Sequence, residues 1–244
     1  MRVPLNGIVS ADDDVKVYQW WGIQAFGPRA VREAIAQNPP GEDLVLEINS
    51  GGGSVEAGSE MYSVLRSAEG VRTRAEVQSI AASAASYLML GCDEVLMSPV
   101  AQVMVHLPGT RTEGDRNAHL GSVHVLDTVR ESILNAYELK AKGKTSRAEF
   151  KRMMNAATWM TAQEAVDCGL ADGILYQEEV LPQNIMNAVG GGIRALGGSG
   201  GVPDIEHLRA EYRKHKQAET GKGPEANTGD WRMRARLDLE KTRF

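Results

Sequence analysis

Leu44-Val45-Leu46-Glu47-Ile48-Asn49-Ser50-Gly51-Gly52-Gly53-Ser54-Val55 is an apolar run that ends in three consecutive glycines. An aliphatic run this short suits a buried strand better than a helix. The glycines that follow tolerate the backbone angles of a tight turn and punctuate it. Beyond them, to about Ser67, the apolar positions change to a helical spacing, with Ala57, Met61, Val64 and Leu65 on one face. Strand, glycine turn and helix open a βαβ unit.

The same alternation extends in both directions. Upstream, Leu5-Asn6-Gly7-Ile8-Val9 reads as a strand, and Ala30 to Gln37 as a helix with Pro28 near its start and Pro39-Pro40 just past its end. Downstream, Val71 to Val77 reads as a strand, Ala81 to Leu90 as a small-residue helix, and Glu94-Met97 and Ala101-Val105 as two short strands. A polar loop from Gly109 to Gly121 leads to a long helix, Asp127 to Lys142, capped by Asp127 and closed by Gly143. A helix over Ser146 to Met154 follows, then a second headed by the capping box Thr161-Ala162-Gln163-Glu164, then Gly173 to Tyr176. The pattern predicts an α/β domain with a largely parallel sheet over residues 1–180. Residues 181–203 read as a Gly-rich linker, since seven of the twelve residues 190–201 are glycine. Residues 204–244 read as a charged tail. Asp204 to Gln217 suits a helix with Ile205, Leu208 and Tyr212 on one side, residues 218–230 suit disorder, and His207 and His215 read as solvated.

Composition narrows the function. No run approaches the ~18 apolar residues of a membrane span, and nothing at the start resembles a secretory signal. Two cysteines without C-x-x-C spacing suit a reducing cytoplasm. The chain carries 27 Lys/Arg against 32 Asp/Glu, and ten of the basic residues fall in 204–244, so the preceding body is acidic. That argues against nucleic acid as the main partner. No pattern calls for a metal, nucleotide or organic cofactor.

Three places suit chemistry. The turn Asn49–Ser54 can aim backbone N–H groups at a negatively charged oxygen, and it can equally be an ordinary strand-to-helix turn. In Ser79-Ile80-Ala81-Ala82-Ser83-Ala84-Ala85-Ser86, a serine at a helix start can act as a nucleophile whose oxyanion the following N–H groups stabilise. The same serines suit close packing or capping. His106, at the end of Val103-Met104-Val105, is placed to be a general base or a satisfied edge histidine. Nucleophile, base and oxyanion turn together form the minimum set for acyl transfer.

Four blocks, Ile48–Val55, Ala81-Ala82-Ser83-Ala84, Met104-Val105-His106-Leu107-Pro108, and Trp159–Val166 with Gly169-Leu170-Ala171-Asp172, resemble the Clp protease proteolytic subunit family from about Leu5 to Tyr176. Trp20-Trp21-Gly22-Ile23, the alanine-rich serine block and Ala157–Thr161 resemble its phage branch, the Clp-like head maturation proteases. The resemblance implies a serine endopeptidase of the Clp/crotonase-like superhelical fold, assembled as a homo-oligomeric ring, single or stacked. It implies Ser83 as nucleophile, His106 as base, the N–H groups of Gly52 and Ala84 as oxyanion hole, and the helix Asp127–Lys142 as the handle between rings. Two departures stand out. The family's third triad residue is an Asp, and here the segment reads Met153-Met154-Asn155-Ala156, which makes Asn155 the candidate, with Asp172 and Asp115 as other acids. Asn can orient an imidazole without charging it. Gly51 replaces the proline usual in the glycine turn, so the loop is expected to order on binding substrate or on assembly.

The implied function is cleavage of capsid or scaffold protein in phage head maturation, in the bacterial host cytoplasm and at the procapsid. The alternatives are a housekeeping peptidase subunit served by a Clp ATPase, a crotonase-like acyl-CoA enzyme, and a catalytically weakened ring with a scaffolding role. The tail, with Trp231, Arg232, Arg234 and Arg236, is a candidate tether to capsid or scaffold.

Overall fold

A computed structural model describes residues 1–176 and 204–220, with side chains in the second segment to residue 216. The Gly-rich linker, the stretch expected to be disordered from residue 221 on, and Trp231 to Arg236 lie outside the described residues. The described residues fall into two units, 1–12 with 25–176, and 13–24 with 204–220.

The first unit is built on a mixed sheet whose main path is parallel, in the order β2 (Ala25–Phe26), β1 (Arg2–Val9), β3 (Leu44–Gly53), β4 (Thr73–Ala82), β5 (Glu94–Met97), β8 (Gly173–Ile174). Consecutive burial of Leu44, Val45 and Leu46 fits a central parallel strand covered on both faces. The core continues through Ile48, Val77, Val95, Met97, Val103 and Val105, all fully buried.

β4 has two partners in succession. Its first half, Arg74 to Val77, pairs with β5, and its second half, Ile80 to Ala82, pairs in parallel with β6 (Gln102–Val105). β6 in turn pairs antiparallel with β7 (Thr158–Thr161), so that Val105 faces Thr158. The transfer of β4 from one neighbour to the next carries the ends of β4 and β6 to the same place.

Several expectations need correction. β3 runs through the glycines to Gly53, opposite Ile8 and Val9 of β1, with an irregular register near Ser50. A side chain on Gly53 would sit 2.1 Å from the Val9 carbonyl oxygen, so close strand approach, more than turning, is what requires glycine there. Ala81 and Ala82 belong to β4, and the helix α4 begins later, spanning Ala84–Leu88. The long helix α5 spans Arg116–Ala141 and is capped by Asp115, which accepts from the N–H groups of Asn117 and Ala118 at 2.9 Å. Asp127 is inside that helix and pairs with Arg130 at 2.7 Å. The first half of α5 is exposed, including Leu120, Val123 and Val125, so it lacks the one-sided apolar face that marks a helix in sequence. The remaining helices are α2 (Pro28–Gln37), α3 (Val55–Arg66), α6 (Arg147–Asn155) and α7 (Ala162–Cys168), and α7 has the expected capping box at Thr161. β2, β7 and the helix α1 (Asp12–Trp20) were not anticipated.

In the second unit, the last helix α8 (Ile205–Thr220) pairs with α1. Arg209 holds Asp14 with two hydrogen bonds, at 2.7 and 2.8 Å, a bidentate geometry that fixes orientation as well as charge. Trp20 meets Tyr212 and His215 edge-on at 5.5 and 5.0 Å. His215 is therefore packed rather than solvated, whereas His207 is exposed.

Candidate active site

Ser83 occupies the single residue between β4 and α4, at φ 54° and ψ −123°. A non-glycine residue held in such a region costs roughly 1–3 kcal/mol, so its surroundings must impose it. They do so at both ends of the residue. The Ser83 N–H donates to Met104 O at 2.9 Å. The Ser83 carbonyl accepts from the Ser86 N–H at 2.9 Å and from the Ser86 hydroxyl at 2.6 Å.

His106 follows β6 directly. Ala82 faces Met104 in register, so Ser83, the residue after β4, and His106, the residue after β6, meet just beyond the last pair. There His106 Nε2 lies 2.7 Å from Ser83 Oγ. With the ring proton on Nδ1, the hydroxyl donates and Nε2 accepts, which is the arrangement a general base needs. Burial lowers the imidazole pKa below its ordinary value. Ser83 and His106 line a small pocket with Val55, Ala84, Tyr87, Pro108, Ile133 and Tyr137.

The glycine turn reaches the same place from β3. Gly52 has φ 97°, and a side chain on it would lie 2.6 Å from Ser83 Cβ and 2.7 Å from Ala82 O. Its N–H is engaged by Ser50 Oγ at 3.1 Å, while Ser50 donates to Gly7 O at 2.6 Å. Ala84 is the first residue of α4, where backbone N–H groups lack intrahelical acceptors. The structure thus brings together Ser83, His106, Gly52 and Ala84.

Asn155 is not joined to them. It ends α6, is exposed, and makes no hydrogen bond to His106. The turn after it, with Ala157 at φ 49°, leads into Thr158 opposite Val105, so it is near His106 in topology without touching its ring. The other acids are committed elsewhere. Asp172 accepts from the Val95 N–H at 2.7 Å and pairs with Lys140, and Asp115 caps α5. Among the described residues, Ser83 is the one hydrogen-bond partner of the His106 ring. The described residues also hold no group of three or more His, Cys, Asp or Glu able to bind a metal.

Sequence reasoning missed Ser50, Ser86 and Tyr137. Ser86 had a signal, being one helical turn past Ser83, while Tyr137 is distant in sequence and had none.

The family model for Clp protease matches residues 33–178. The chain belongs to the Clp protease family. Curated members agree. An ATP-dependent Clp protease proteolytic subunit 1 of Chlamydia abortus is 34% identical over 142 residues, covering 56% of this chain and 72% of that one. Its counterpart in Chlamydia trachomatis is 33% identical over the same length. An ATP-dependent Clp protease proteolytic subunit of Ligilactobacillus salivarius is 32% identical over 146 residues, 57% of this chain and 70% of that one. In general class the chain is a Clp-type peptidase, and its mixed α/β sheet is the fold of that family. Residues 1–32 and 179–244 fall outside the family match.

Proposed function

We propose that the protein is a serine endopeptidase in which Ser83 attacks the peptide carbonyl and His106 carries the proton. The hydrogen bond of 2.7 Å between His106 Nε2 and Ser83 Oγ, made by a strained nucleophile, is the observation that carries this reading. As Ser83 Oγ bonds to the carbonyl carbon, its proton passes to Nε2. The imidazolium then gives that proton to the departing amine, leaving an acyl-enzyme. Water attacks the ester with His106 again as base, and Ser83 recovers its proton as the acid leaves. The developing oxyanion is assigned to the N–H groups of Ala84 and Gly52, the latter turning away from Ser50 Oγ as substrate enters. Asn155, which makes no bond to the ring in the structure, is assigned to His106 Nδ1 in the substrate-bound state.

The substrate is a capsid or scaffold protein of a tailed phage. Support comes from the segments outside the family match, where Trp20 of α1 packs on Tyr212 and His215 of α8, a docked extension suited to tethering at an assembly site. The subunits form a ring, stacked through the exposed Leu120, Val123 and Val125 of α5, in the host cytoplasm and at the procapsid. No described helix is long and apolar enough to cross a membrane. The test is co-expression with a tailed-phage capsid protein and its scaffold protein. Processing by the parent and its loss in Ser83→Ala is expected; equal processing by both would overturn the proposal.

A second reading is favoured by the relatives, whose names describe ATP-dependent proteolysis. Stoichiometric capture of a Clp ATPase, with degradation of unfolded protein that depends on ATP, would establish it instead.

A further inference from the structure

The strained backbone of Ser83 is held from its carbonyl side by two buried hydroxyls that the peptidase chemistry above leaves without a role. Ser86 and Tyr137 are both buried, at 0% and 1% exposure, and their hydroxyl oxygens are 2.7 Å apart. Either oxygen is able to donate in principle, and the neighbouring bond decides which one does. The Ser83 carbonyl has no proton to give, so Ser86 Oγ must be the donor across the 2.6 Å to Ser83 O. Having one proton, Ser86 is then the acceptor toward Tyr137, and the phenol donates. Burial pushes the Tyr137 pKa well above its ordinary value, which keeps that proton in place at any working pH.

The order of hydrogen bonds is therefore fixed, from Tyr137 O–H to Ser86 Oγ, and from Ser86 O–H to Ser83 O. Its two ends belong to different parts of the fold. Tyr137 sits on the buried face of the C-terminal half of α5, one turn from Ile133, and both line the pocket that contains Ser83 and His106. Ser86 is on α4, one turn past the nucleophile. Removing the phenol oxygen leaves the buried Ser86 Oγ without its incoming donor, so the hydroxyl loses the contact that fixes it and its bond to the Ser83 carbonyl is less firmly held.

We propose that Tyr137, acting through Ser86, is a positioning residue for catalysis: the pair holds the Ser83 peptide in its strained conformation and so keeps Oγ aimed at His106 Nε2. The proposal rests on the peptidase reading of Ser83 and His106. Both hydroxyls of the relay are spent on each other and on the Ser83 carbonyl, so it governs how often Oγ is in line for attack rather than how tightly substrate binds.

The experiment uses the full chain and a fluorogenic short peptide amide, with kcat and KM measured separately for the parent, Tyr137→Phe, Ser86→Ala and the double variant. Phe keeps the ring and Ala is smaller than Ser, so neither overfills the core. The expected result is a ten- to hundredfold fall in kcat for each single variant, with KM within about twofold of the parent and the acid limb of the pH profile unmoved. The double variant is expected to be no worse than the poorer single one, because both changes break the same relay. Tyr137→Phe with parental kcat would overturn the inference and leave the peptidase reading intact. So would losses that multiply in the double variant, or a fall in kcat matched by a rise in KM and a shifted acid limb. If the parent shows no turnover dependent on Ser83, the peptidase reading fails first and this inference with it.

Discussion

The two sides of the His106 ring are built differently. On the Nε2 side, Ser83 is fixed through its N–H by Met104, through its carbonyl by Ser86, and through its hydroxyl by the imidazole itself. The buried Tyr137 stands behind that arrangement. On the Nδ1 side no described group donates or accepts, and the residue at the expected third position, Asn155, is exposed at a helix end. One side is pinned by the sheet and by buried hydrogen bonds, and the other is a surface turn. The contrast shows that Ser83 and His106 are aligned by the ends of β4 and β6 together with the hydrogen bonds of Ser86 and Tyr137, with nothing required at Nδ1. The charge that stabilises the imidazolium is a separate provision, which this chain makes weakly.

The largest effect should come from breaking the well-built side. Ser83→Ala is expected to lower peptide hydrolysis on the order of 10⁵-fold or more, to what binding and oxyanion groups alone supply. A hydrolysis assay with a residual rate within tenfold of the parent would remove Ser83 from the mechanism.

Gly52→Ala comes next. The added carbon would lie 2.6 Å from Ser83 Cβ at a φ of 97°, so Ser83 or the glycine strand must move. A loss of roughly 10²–10³-fold in kcat is expected, the range for an impaired oxyanion donor. Unchanged kcat would mean that β3 yields freely and does not define the site.

The weakly built side offers a gain. Asn155→Asp should raise kcat about tenfold by placing a negative charge near Nδ1, whereas Asn155→Ala should lower it by a smaller factor. Equal rates in all three proteins would show that Asn155 never reaches the ring.

The smallest effect is a shift in pH dependence. A general base must be neutral, and burial holds the His106 pKa below its ordinary value, so the neutral form persists to lower pH. The acid limb of kcat/KM should therefore lie below pH ~6.5 in the parent and move upward in Asn155→Asp, since a nearby anion favours the imidazolium. An acid limb above that value in the parent would mean that a carboxylate reaches the ring in solution.

The sequence made much of the well-built side legible. Ser83 and His106 stand where apolar strands end, and strand ends are visible as breaks in hydrophobic pattern. Gly52 is marked by its glycine neighbours. The boundaries of the nearby elements were less visible, because Ala81 and Ala82 suit a helix by propensity and were drawn into β4 by pairing with β6. The first half of α5 was hidden by its exposure on all sides, which removes the periodic contrast that reveals a helix. Tyr137 could not be found from sequence, since its meeting with Ser86 depends on how α5 crosses α4. The pairing of α1 with α8 was hidden for a similar reason: Asp14 and Arg209 are 195 residues apart.

The central claim is that Ser83 is an activated nucleophile although no acid among the described residues supports His106. Reaction of the purified protein with a fluorophosphonate, with the modified residue located by mass spectrometry and Ser83→Ala as control, tests it most directly. The account predicts modification at Ser83 alone, with none in the variant. A folded, assembled protein that takes up no label, or takes it up equally in Ser83→Ala, would contradict it.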